Sequence, residues 1–164
     1  MKREKLEKNM DKKNFSARDI KVSTENMVLS KFIEKLKTNK IDLKSKDIED
    51  EKEMSILIES ILLRLPLTIF YFDVSNPNKW KVIDGLWRII VLKKFIIDKS
   101  FKLTDLEFLK KLNGIGYEEL EKSFKRIIDD TNIITYQVEA QTPEKVRSSI
   151  YKRINSRRKF NEDE

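Results

Sequence analysis

The chain has 164 residues, 39% hydrophobic and 38% charged, with 35 Lys and Arg against 28 Asp and Glu for a formal net charge of +7. That length suits one domain, or one domain with an arm, and the positive balance favours polyanionic partners such as nucleic acid or nucleotides. Cys and His are both absent, which excludes disulfides, thiol chemistry, imidazole acid–base catalysis and any ordinary zinc site. Chemistry would have to use Asp, Glu, Lys, Arg, Tyr or Ser, with a hard metal such as Mg²⁺. No apolar stretch follows Met1-Lys2-Arg3-Glu4-Lys5, and no run approaches the roughly 20 apolar residues that span a bilayer. A cytoplasmic protein without membrane contact is expected.

Residues 1–21 are mostly charged and predict a mobile arm, leaving 22–164 as the folded domain. Ser23 or Thr24 predicts the cap of a helix to about Lys37, with Val28, Phe32, Ile33 and Leu36 on one face and Asn39 ending it. Residues 40–54 read as irregular apart from Ile41 and Leu43. Ser55 predicts the cap of a second helix to Leu65, interrupted by Glu59 and Ser60 and stopped by Pro66. Leu67 to Asp73 is apolar on both faces and predicts a central strand. The turn at Ser75-Asn76-Pro77-Asn78 leads to a further strand, Trp80 to Ile83, and the two suit a hairpin.

Gly85 joins that strand to Leu86 to Asp98, a stretch without Gly or Pro that holds the apolar run Ile89 to Ile97 and has the length of a buried helix. A strand, a Gly turn and a helix start leave backbone N–H groups aimed at one spot, and such a spot favours anions. Arg88 in the first turn adds a guanidinium suited to phosphate. Asp84 would hold the turn, a metal ion or a ribose hydroxyl. The alternative is a plain strand-to-helix junction, common in α/β proteins. Farther on, Thr104-Asp105-Leu106-Glu107 predicts a capping box whose helix Gly114 closes. Tyr117 to Asp129 predicts an amphipathic helix with Leu120, Phe124 and Ile127 inward. Ile133 to Val138 predicts a strand. Thr142-Pro143-Glu144 predicts the start of a last helix, with Val146, Ile150 and Ile154 toward the core and Arg147 and Tyr151 toward another side. Arg157-Arg158-Lys159 is the sharpest basic cluster and suits contact with a DNA backbone.

Ile83-Asp84-Gly85-Leu86-Trp87-Arg88 resembles the Asp-Gly-Gln-Gln-Arg signature of GmrSD-type restriction endonuclease N-terminal domains. Leu57 to Pro66, Lys81 to Phe95 and Thr142 to Asn155 resemble three segments of that family in order and spacing, over roughly Ile41 to Asn161. The resemblance implies an α+β fold of the ParB/sulfiredoxin-like kind, a small mixed sheet wrapped by helices. It also implies a module that binds and hydrolyses NTP with Mg²⁺ in defence against phage or foreign DNA. Carried over by position, Asp84 and Arg88 would be catalytic. Gly85, Arg88, Arg153 and Asn155 would bind the nucleotide. The family's C-terminal nuclease has no counterpart here, so its partners would be DNA, a nuclease-domain protein or a full-length relative.

Three departures carry a second reading. Trp87 stands where the family has its second Gln, and an indole offers one donor and no acceptor. Ser156-Arg157-Arg158 replaces a Thr-Gly-Gly loop. Lys44 to Asp50 replaces a longer segment containing an aromatic residue, Gln and Arg. On that reading the chain is a catalytically inactive regulatory or decoy protein that binds a full-length relative or DNA.

Overall fold

A computed structural model describes residues 16–44 and 48–156. These residues form a mixed α+β domain. Five strands, β1 (Val22–Val28), β2 (Ile41–Asp42), β3 (Phe70–Asp73), β4 (Trp80–Asp84) and β5 (Asn132–Val138), make one sheet in the order β1-β5-β3-β4-β2. β1 and β5 pair antiparallel over seven residues, β5 and β3 parallel, β3 and β4 antiparallel, and β4 and β2 parallel. The expected hairpin and central strand are both present. Phe70 and Phe72 of β3 are fully buried, between β4 and β5.

Five helices accompany the sheet: α1 (Leu29–Lys37), α2 (Glu51–Leu62), α3 (Leu86–Leu92), α4 (Lys122–Asp130) and α5 (Glu144–Ser156). In α1, Leu29, Phe32, Ile33 and Leu36 recur at helical spacing, and all four are buried. Asn39, in the left-handed conformation at φ 53°, ends it as expected. α3 is mostly apolar and continues at Lys93–Ile97 as a widened π turn. That extra width keeps Phe95 and Ile96 buried alongside Leu92. α4 packs on α1 and α2, while α5 lies against β4. Phe32 meets Phe70 and Phe72 at centroid distances of 5.6 and 6.0 Å, and Phe72 meets Trp80 at 5.5 Å. Each such buried ring contributes about 2–3 kcal/mol through removal from water.

Several expectations are corrected. The helix expected from Ser23 begins only at Leu29, because Val22–Val28 is held as a strand by its full register with β5. α2 begins at Glu51, not Ser55: Asp50 is the cap, accepting from the Glu53 N–H at 3.1 Å. It ends at Leu62, since Arg64 at φ 60° turns the chain before Pro66 is reached. The helix expected from Thr104 does not form. The N–H groups of Glu107, Phe108 and Leu109 donate to the buried Glu59 carboxylate at 3.1, 2.8 and 2.7 Å, and the Thr104 N–H donates to Ser55 Oγ at 3.0 Å. These two side chains of α2 take up the donors that a first helical turn there would present. Tyr117–Glu119 is a separate 3₁₀ turn, so α4 starts at Lys122, and Ile128 rather than Ile127 is its buried residue. The stretch expected as an arm is described only from residue 16. At its end Lys21 is joined to the fold, its N–H donating to Thr142 Oγ1 and its carbonyl accepting from that hydroxyl, both at 2.9 Å.

Candidate functional site

Local chemistry explains the turn after β4. Gly85 has φ 94°, a left-handed conformation that a side chain disfavours. A Cβ there would also lie 2.6 Å from Phe70 Cδ1. The turn is therefore closed by an aromatic ring of β3, and its glycine is required by packing as well as by φ.

Arg88 points back over that turn. It donates through Nη1 to the Thr68 carbonyl and through Nη2 to the Ile69 carbonyl at 3.1 Å and to Asp84 Oδ2 at 3.3 Å. Its side chain is 13% exposed and that of Asp84 18%, and its guanidinium carbon lies 4.3 Å from the Phe70 ring centroid. Asp84 and Arg88 are thus partners of each other, and Arg88 also holds the backbone entering β3. Trp87 is half-buried and packs against the core.

The other two residues expected at the nucleotide separate. Asn155 reaches the junction: its Nδ2 donates to the Ile83 carbonyl at 3.2 Å and to the Tyr151 carbonyl at 2.9 Å. Arg153 is exposed and donates through Nε to Ser149 Oγ on its own helix. Arg157, Arg158 and Lys159 lie outside the described residues.

Beside the turn, between α5 and the strands β2, β3 and β4, lies a groove of about 450 Å³. Lys44 follows β2, Lys81 and Ile83 lie on β4, and Arg147, Tyr151 and Lys152 come from α5; all line it, with Leu86 at the Gly85 end. Arg147 fixes the helix to the sheet. Its Nε lies 3.3 Å from Asp73 Oδ2, and its Nη1 donates to the Thr142 carbonyl at 2.6 Å. Asp42, Asp73 and Glu144 also line the groove; Asp42 is engaged by Lys79 and Asp73 by Arg147. Among the described residues no three acids are gathered as a metal cage. Asp42 and Asp73 thus act as charge partners within the groove.

Helical spacing alone sets Arg147 and Tyr151 apart from the core side of α5. Lys44 and Lys81 carry no local signal, since only the parallel pairing of β2 with β4 brings them together. In sequence Glu59 is no more than a polar interruption of an apolar helix. Nothing near it marks the loop that its buried carboxylate holds 48 to 50 positions away.

No protein-family model, curated protein or solved structure matches this chain. What the fold and groove define is a mixed α+β domain with a groove, lined by both cations and acids, between its last helix and its sheet. Among the described residues no helix is long and apolar enough to cross a membrane.

Proposed function

We propose that this chain is a nucleotide-binding domain of the GmrSD N-terminal, ParB/sulfiredoxin-like kind that it resembles, acting in defence against phage or foreign DNA. The groove between α5 and β4 takes the ligand. One observation carries the reading: cations from three separate elements, Lys44 after β2, Lys81 of β4 and Lys152 of α5, line a groove of about 450 Å³ beside the motif turn. Charge on several sides of one space suits a polyphosphate, and Tyr151 offers a ring against which a base can stack. Any Mg²⁺ enters with the phosphates.

In this reading Asp84, Gly85 and Arg88 build the wall of the site instead of doing its chemistry. The engagement of Arg88 by two backbone carbonyls and a carboxylate favours a second form of the proposal. That form is a binding protein without turnover, which regulates a nuclease-bearing relative by occupying its partner or its ligand.

Isothermal titration with ATP, GTP and CTP in the presence of Mg²⁺ tests the binding, using wild type and a Lys81→Gln/Lys152→Gln variant. An affinity that falls about tenfold or more in the variant supports the groove. No heat with any nucleotide in the wild type refutes the reading. Phosphate release from a binding-competent wild type would refute the form without turnover.

A further inference from the structure

We infer that a second basic cleft, formed by Arg64 just after α2 and by Lys122 and Arg126 of α4, holds the phosphate backbone of nucleic acid. These three cations line a recess of about 490 Å³ together with Ser123 and Ile127, and Asp130 is its one acid. Arg64 comes from a sequence position far from the other two. It sits in the left-handed conformation at φ 60° that follows α2. A non-glycine residue in that conformation is uncommon, and here it places a cation beside the start of α4.

Some lysines and arginines of this protein are matched with acids, as in Lys37–Glu34, Lys93–Asp98, Lys102–Glu119 and Arg147–Asp73. Arg64, Lys122 and Arg126 share no ion pair and no side-chain hydrogen bond among the described residues. Three exposed like charges beside one acid leave a local excess of two positive charges, which attracts a polyanion. Phosphate oxygens accept from Arg and Lys donors and from a Ser hydroxyl.

The shape selects the polymer over a small ligand. The cations stand exposed around the recess and do not enclose it, and no aromatic ring lines it to stack a base. Contact of this kind positions a backbone without reading sequence. The groove between α5 and β4 is lined by none of these residues, so either site can fail without the other.

Fluorescence anisotropy with a labelled duplex of about 20 bp, between about 50 and 200 mM salt, tests the cleft on the full chain. Arg64→Gln/Lys122→Gln/Arg126→Gln is compared with Lys52→Gln/Lys110→Gln/Lys111→Gln, which removes the same charge from other exposed positions. Circular dichroism melting verifies that both fold. Removing one cation from a phosphate lowers the slope of log affinity against log salt by about 0.9. The cleft variant is therefore expected to show a slope shallower by about two to three, with affinity down about tenfold or more. The control should stay within about threefold of wild type. Equal losses in both variants, no binding of the duplex by wild type at the lowest salt, or binding only to phosphatidylserine vesicles would each overturn the proposal.

Discussion

The Arg88 guanidinium lies over the face of the same Phe70 ring that a Cβ at Gly85 would strike. One ring thus fixes both the glycine and the arginine of the Asp84-to-Arg88 motif. Gly85→Ala must push that ring aside and strain the backbone, and we expect it to lose about 2–4 kcal/mol in urea unfolding. Gly114→Ala is the internal comparison. Its φ is 84° but nothing lies within 4 Å of the added methyl, so only the conformational strain of about 1 kcal/mol should register.

Arg88→Lys tests whether the arginine is structural. A lysine cannot bridge two carbonyls and a carboxylate from one planar group. The loss of charged hydrogen bonds to Thr68, Ile69 and Asp84 should cost about 1–3 kcal/mol of stability. Nucleotide affinity of the folded fraction should change by less than about threefold. A stable variant that no longer binds nucleotide would return Arg88 to the ligand.

Glu59 makes acid stability sensitive to one side chain. Burial pushes its carboxyl pKa up, but the N–H groups of Leu109, Phe108 and Glu107 outweigh this and hold it below its ordinary value. A carboxylate depressed on folding stabilises fully above its unfolded value of about 4.3, and that contribution is lost as pH falls through the folded value. Glu59→Gln should lose about 1–3 kcal/mol at neutral pH, because its NH₂ group faces donors. Below about pH 4 the gap between variant and wild type should narrow. Chemical unfolding at stepped pH measures both.

α5 has no fully buried residue, and polar ties from Arg147 and Asn155 help to hold it. Asp73→Asn weakens the pair with Arg147 and leaves the Ser75 N–H acceptor in place. Hydrogen exchange across 144–156 should speed up by about tenfold while β3 and β5 stay protected. Uniform acceleration over the whole domain would show instead that α5 is part of the global unit.

The strand–Gly–helix unit at Trp80 to Ile97, the central β3 and the start of α5 are legible in the sequence because local signals agree there: β-branched and aromatic runs, a glycine at a turn, Pro after a cap. β1 is not legible. Ser23, Thr24, Glu25 and Asn26 resemble a helix start, and only pairing with Asn132–Val138 makes them a strand. The Thr104–Glu107 pattern fails for a similar reason, since its donors are claimed by Glu59 and Ser55 from another helix. At the site, Asp84, Gly85, Arg88 and Asn155 do come together at one junction, but the direction of Arg88 is invisible in the sequence. Spacing puts a guanidinium in the first turn; it does not say whether it points outward or back over Phe70.

The position of β5 between β1 and β3 bears on how the protein is made. A ribosome delivers β1 first and β5 last of the five strands, so the sheet stays split during most of translation. Until β5 emerges, β3 offers an open edge bearing Phe70 and Phe72, a surface prone to adhesive pairing with other chains. Such distant closure slows folding. A stalled chain ending before Asn132 would accordingly be a client for chaperones and not a smaller working domain.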